Sequence, residues 1–169
     1  MSESYVVRNM RVEPATESRS ACVWVPFGAG LFIVALIISA AVVPQLRLLH
    51  LFQALIYVAV VRLARRNSAW GFGAGVAIAV AWNSLNLFVT HLMWAGAVAF
   101  WHFLRTGHVH RLDTMMVLLG GIAHFVLIIA CLTVFFHSSG TNRQWWKFAG
   151  GGVLVLAYFG LIVATMAPH

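Results

Sequence analysis

One stretch of the sequence constrains the fold more than any other: residues 70–104 contain no Asp, Glu, Lys or Arg. A transmembrane helix needs about 20 apolar residues to cross roughly 30 Å of hydrocarbon. These thirty-five residues are too many for one upright span and slightly too few for two comfortable ones. The way in which this run crosses the bilayer therefore decides the topology of the chain.

The composition of the whole chain indicates a helical membrane protein. Of its 169 residues, 62% are hydrophobic and only 9% are charged, whereas a soluble domain carries about 25% charged residues. The apolar residues form long uninterrupted runs instead of alternating with polar ones, which argues against a membrane β-barrel. We therefore predict an all-α fold consisting of one bundle of transmembrane helices.

The apolar runs predict five transmembrane helices, at about residues 25–43, 48–63, 70–94 with an extension to 104, 114–136 and 145–166. Pro44 ends the first run, because proline cannot continue a helix comfortably. Residues 1–24 are predicted to form a polar cytoplasmic tail, and residues 25–169 a single transmembrane domain. An alternative is that the first run is a signal peptide, since residues 39–41 resemble a small-residue cleavage site.

The central run allows a second threading, in which it breaks at Asn83–Asn86 and forms a hairpin, giving six spans. Trp82 and Trp94 would then flank the polar centre as interfacial aromatic residues do. A turn without Gly, Pro or charge is nevertheless a poor chain reversal. We therefore favour five spans, with residues 95–104 projecting from the bilayer or lying along its surface.

The basic residues predict the orientation. They give the chain a formal charge of +7 and lie between the apolar runs. Eight of them fall on one side, in the tail and in the loops around 62–66 and 143–147, against three on the other, namely Arg47, Arg105 and Arg111. The positive-inside rule then places the N-terminus in the cytoplasm. Because no basic face or nucleic-acid-binding motif is present, we expect these residues to meet lipid headgroups and not nucleic acid.

Small and polar residues recur at helical spacing along the central run. The members of this stripe are Gly71, Gly75, Ala79, Asn83, Asn86 and Thr90. Small residues at this spacing let helix backbones approach closely, and Asn or Thr can hydrogen-bond across the contact. The stripe therefore predicts a packing face with a polar seam. Its partner helix could belong to the same chain, to a second copy or to another membrane subunit.

Histidines within the apolar runs raise the question of a cofactor. His91 and His124 lie at comparable depths if their runs are antiparallel, so they could be the two axial ligands of a b-type haem, with His102 as an alternative to His91. His108 and His110, close to His102, could instead bind a transition metal at the membrane surface. The competing interpretation is that His91 and His124 are packing residues hydrogen-bonded to neighbouring helices.

The sequence contains no recognisable catalytic motif. No carboxylate lies inside a predicted span, and no P-loop, HExxH or nucleophile elbow is present. We therefore predict a non-enzymatic membrane subunit or assembly partner that packs through its small-residue faces. The alternatives are a haem- or metal-binding redox protein, which predicts a chromophore lost on His→Ala substitution, and a small channel or carrier for an uncharged solute.

Overall fold

The structure, a computed structural model, describes residues 14–137 and 144–166, with side chains at 23–137 and 144–165. This part of the chain is 91% helical and contains no strand, which confirms the predicted all-α fold. Its helices are α1 (Pro14–Val42), α2 (Arg47–Arg65), α3 (Ala69–Ser84), α4 (Leu92–Thr106), α5 (Leu112–His137) and α6 (Trp145–Met166). All except α4 belong to segments that are long and apolar enough to span a membrane, giving five candidate spans as predicted.

The first helix begins earlier than we predicted. It starts at Pro14, inside the stretch interpreted as a polar tail, because proline is well suited to the first position of a helix. Residues 1–13 of that predicted tail lie outside the described part of the chain. The apolar part, Val23–Val42, is 20 residues long. A short 3₁₀ turn, Pro44–Leu46, then leads into α2.

The central run is neither one regular helix nor a hairpin. Helix α3 continues past Asn83 into a π-helical turn, Leu85–Val89, and the chain breaks only at Thr90–His91. His91 adopts a left-handed backbone conformation with φ 54°. Beyond the break, α4 packs against α5 and does not fold back along α3. The break therefore lies further along the run than the Asn83–Asn86 position considered from the sequence.

Helix α4 is too short for a span, with 15 residues. Its first two turns pack on α5, where a Cβ at Gly96 would collide with the Thr114 carbonyl and one at Gly121 with Met93. From Val98 onwards most of its residues are exposed. Residues 95–104 thus belong to a separate helix and do not extend α3, and their predicted place outside the bilayer or along its surface stays a prediction.

Helices α3 and α5 together form the centre of the bundle, and both α1 and α3 pack antiparallel to α5. Gly28 of α1 lies against Ala123 and Leu127, and Gly75 of α3 lies against Cys131. Helix α6 packs on another side of α3. There the backbones are so close that a Cβ at Gly73 would collide with the Phe148 carbonyl oxygen.

The helix order separates the charged residues into two ends. Arg62, Arg65 and Arg66 at the end of α2 lie on the same side as Lys147 at the start of α6, because the start of α3 packs against both helix ends. Gly71 lies beside Ala64, and Gly73 lies beside Phe148. We call this side the arginine end. The opposite side, the α4 end, carries the start of α2, the break at Thr90–His91 and all of α4.

Candidate functional site

The most completely buried polar side chain in the described structure is His124, in the middle of α5, with no exposed surface. Tyr57 of α2 and Asn83 of α3 contact it from two sides, and both are also buried. We call these three residues the Tyr–His–Asn cluster. It joins three of the five candidate spans at a single imidazole ring.

The hydrogen bonds of the cluster run in one direction. Asn83 Nδ2 can only donate, and it reaches the Gly121 carbonyl oxygen at 3.5 Å. Asn83 Oδ1 therefore accepts, and we assign the proton of His124 to Nδ1, which lies 3.3 Å away. In a neutral imidazole this leaves Nε2 as an acceptor, so the Tyr57 hydroxyl donates to it across 2.5 Å. The chain of donors thus runs from Tyr57 through His124 to Asn83 and the α5 backbone.

Aromatic rings enclose the imidazole on its remaining sides. Phe32 of α1 stacks on His124 with ring centroids 4.1 Å apart, and Trp82 approaches edge-on at 4.8 Å. Gly120, one turn before His124, makes room for both rings, because a Cβ there would lie 3.0 Å from Phe32 and 3.3 Å from Trp82. A fourth helix, α1, is thereby joined to the cluster by packing.

This geometry favours a structural role over a catalytic one. Both nitrogens of His124 are already hydrogen-bonded, and the imidazole has no exposed surface. A general base needs a substrate proton within reach, and a haem ligand needs a free nitrogen. The cluster as it stands satisfies buried polar groups and holds α2, α3 and α5 in register, as interhelical hydrogen bonds do in membranes.

The predicted small-residue stripe is used within the chain itself. Gly71 faces Leu63 and Ala64 of α2, and a Cβ at Gly75 would lie 2.9 Å from Cys131 Sγ of α5. Further along the stripe, Ala79 is fully buried and Asn83 is part of the cluster. This face is therefore covered by α2 and α5 and does not present a surface to a second copy or another subunit.

The far end of the predicted seam does not continue the stripe. Asn86 is buried and donates from Nδ2 to the Trp82 carbonyl oxygen at 2.9 Å, whereas Thr90 is exposed. The prediction assumed the regular α-helical turn throughout, but the π-helical turn at 85–89 changes the phase of the residues that follow. Thr90 instead donates to Asn86 Oδ1 at 3.4 Å.

The structure does not bring together the proposed haem ligands His91 and His124. His91 is exposed at the break and its Nδ1 lies 3.1 Å from the Leu87 carbonyl oxygen, while His124 is enclosed in the core. His102, the alternative ligand, is exposed on α4. In the described residues no three His, Cys, Asp or Glu side chains form a metal-binding group. Haem ligation through Nε2 of His124 would require breaking its hydrogen bond with Tyr57, in a core position that has no exposed surface. The haem hypothesis therefore stays a prediction without support from this geometry.

Two residues of the site, Tyr57 and Phe32, were not predicted from the sequence. A signal for Tyr57 was present, since His50, Gln53 and Tyr57 follow one another at spacings of three and four in an otherwise apolar helix. These residues are all buried on one face of α2. Phe32 carries no comparable signal, because it is one of many large apolar residues in its run.

Comparison of the chain with protein-family models, with curated proteins and with solved structures found no match.

The cluster predicts a specific pattern of unfolding free energies. Tyr57→Phe leaves His124 Nε2 without its donor and should lower stability by about 1–2 kcal/mol. The double variant Tyr57→Phe/His124→Leu should lose less stability than the two single variants lose together, because it leaves neither partner of the hydrogen bond unpaired. The measurement is a double-mutant cycle of unfolding in mixed micelles.

The control for this cycle is Tyr158→Phe, which removes a hydroxyl from a tyrosine that is 37% exposed. It should leave the stability within about 0.5 kcal/mol of the wild type. Equal effects of Tyr57→Phe and Tyr158→Phe, together with additivity of the cycle, would contradict the assigned network.

Proposed function

We propose that this multi-pass membrane protein is a non-enzymatic subunit that assembles with other membrane spans through the outer face of α6. Five apolar helices indicate the multi-pass class. Tyr57, Asn83 and His124 bind one another in the core, which supports a structural role for this cluster. The assembly part of the proposal depends on which small-residue faces the chain leaves uncovered.

The small-residue faces of α3 are both occupied inside the chain. One side of this helix carries Gly71, Gly75 and Ala79 against α2 and α5, and another carries Gly73 against α6. The glycines at the start of α6 are also used, since a Cβ at Gly151 would collide with the Trp70 carbonyl oxygen. None of these faces is available to a partner.

The second half of α6 is different, and it carries the proposal. Ala157, Gly160 and Ala164 are exposed, and nothing lies within 4 Å of a Cβ built on Gly160. At 100° per residue these three positions lie opposite Val155 and Ile162, the buried residues of this half. Small residues let another transmembrane helix approach closely, whereas they offer little area to lipid. We therefore infer that this face meets a helix of a second copy or of another subunit.

The orientation of the protein is part of the proposal. The arginine end carries Arg62, Arg65, Arg66 and Lys147, which supports a cytoplasmic location for this end and for the N-terminus. The α4 end then lies outside. The helix α4, with Trp94 and Trp101 exposed, would lie at the outer membrane–water interface.

Reporter fusions test this orientation. With five spans, a fluorescent protein inserted at Asn67, between α2 and α3, should fluoresce in the cytoplasm of a bacterial host. Alkaline phosphatase fused after Met166 should be active, because it is exported. An active phosphatase at Asn67, or an inactive one after Met166, would contradict the proposed orientation.

Photo-crosslinking in intact membranes tests the assembly face. A benzoylphenylalanine placed at Ala157 should give a discrete protein adduct, because a partner helix lies within reach. The same group at Val34, an exposed residue of α1, should label only lipid. An adduct of twice the mass of the chain identifies a second copy, and any other discrete mass identifies a different subunit.

A matched pair of variants tests whether the adduct depends on close packing at the α6 face. Gly160→Leu should reduce the Ala157 adduct about tenfold, since 1.4 kcal/mol of lost association changes a binding constant by that factor. Gly30→Leu is the control, because a Cβ on Gly30 also has nothing within 4 Å. If Ala157 labels only lipid, or if Gly160→Leu leaves the protein adduct unchanged, α6 is not an assembly face.

A further inference from the structure

A cavity of about 230 Å³ lies at the α4 end of the bundle, apart from the α6 face. Helices α1, α2, α3, α4 and α5 and the π-helical turn all contribute to its wall. Its polar lining residues are Ser39, His50, Gln53, Asn86 and Thr90. The remaining lining residues are apolar, so the wall of the cavity is largely hydrophobic and carries a few polar side chains.

His50 is the group in this cavity wall that most needs an explanation. It exposes only 9% of its surface, and its Nδ1 has no hydrogen-bond partner among the described residues. A buried polar atom without a hydrogen-bond partner destabilises the folded state. Gln53, one turn deeper on the same face of α2, exposes only 7%. Because His50 lines the cavity, a hydroxyl group bound there is within reach of its imidazole.

Another part of the wall is irregular backbone. The π-helical turn Leu85–Val89 lines the cavity through Leu85 and Asn86, and Thr90 and Leu92, the two neighbours of the left-handed residue His91, line it as well. Irregular backbone within a membrane persists where it is buried in protein or lines a cavity. Asn86 and Thr90 bind one another and the nearby backbone, which satisfies groups that the break frees. Turns of this kind occur frequently at functional sites.

The floor of the cavity connects it with the Tyr–His–Asn cluster. Phe32 and Trp82 line the cavity, and the same two rings pack on His124. Phe32 and Trp82 thus give the cavity an apolar, aromatic boundary on this side. The cavity is therefore bounded by aromatic rings towards the core and by His50 and Gln53 at its side.

The charge and size of the cavity limit what it can bind. No carboxylate, lysine or arginine lines it, so an ion would find no opposite charge. A cavity of about 150 Å³ lined by apolar residues is known to accept benzene. We propose that this cavity binds a small uncharged molecule with a single ring and a hydroxyl group, with the ring on Phe32 and Trp82 and the hydroxyl at His50.

The probe for this proposal is 4-fluorophenol, added to the purified full-length protein in nanodiscs and followed by ¹⁹F NMR. We expect saturable binding above the partition of the probe into lipid. Fluorobenzene, which lacks the hydroxyl, should bind about tenfold more weakly, as expected for the loss of one buried hydrogen bond. No saturable 4-fluorophenol binding, or equal affinity for the two probes, would overturn the proposal.

Two variants locate the bound probe. His50→Leu should weaken 4-fluorophenol binding about tenfold, whereas His102→Leu, at an exposed histidine of α4, should not. Ser39→Leu fills part of the cavity without changing His50 and should also weaken binding, whereas Ser84→Leu, at an exposed serine, should not. Ser39→Leu decides the matter if His50→Leu fails to fold.

Binding that is insensitive to Ser39→Leu would place the probe elsewhere and overturn the assignment. These experiments do not depend on the α6 face, because none of the substituted residues lies on α6. Failure of the cavity proposal and failure of the assembly proposal are therefore distinguishable.

Discussion

The hydrogen bonds of His124 hold together helices that lipid alone would not hold in one register. Lipid tails are as apolar as the helices, so close packing and interhelical hydrogen bonds decide how spans associate. Tyr57 and Asn83 bind the two sides of one imidazole and thereby fix α2 and α3 relative to α5. Phe32 adds α1 through ring stacking. The position of the cavity follows from this core, because Phe32 and Trp82 border both the cavity and His124.

The glycines of α3 allow its backbone to approach neighbouring helices more closely than large side chains would permit. Helix α3 approaches α2 and α5 through Gly71 and Gly75, and it approaches α6 through Gly73. Because other helices of the chain cover α3 on two sides, these glycines are buried and cannot contact a partner protein. Among the described residues, this distribution leaves Ala157, Gly160 and Ala164 of α6 as a small-residue face that is still open, and the assembly proposal therefore depends on that helix.

Much of the fold could be predicted from the sequence, because hydropathy and length decide which segments can cross a bilayer. The inward orientation of Gly75 and Asn83 also followed from helical spacing. The partner of His124 could not be predicted, since spacing within one helix does not say which residue of another helix lies opposite. The π-helical turn was equally hidden, because it depends on Asn86 and Thr90 satisfying backbone groups in the folded chain. That turn also explains why Thr90 does not lie on the predicted packing face.

The most direct test of this account is the tautomer of His124, measured by ¹⁵N NMR on protein labelled at histidine and assigned with His124→Leu. The account predicts a proton on Nδ1 and none on Nε2, because Asn83 Oδ1 accepts and Tyr57 donates. The Nε2 signal should also shift in Tyr57→Phe. A proton on Nε2, or an Nε2 signal unaffected by Tyr57→Phe, would contradict the central hydrogen-bond network.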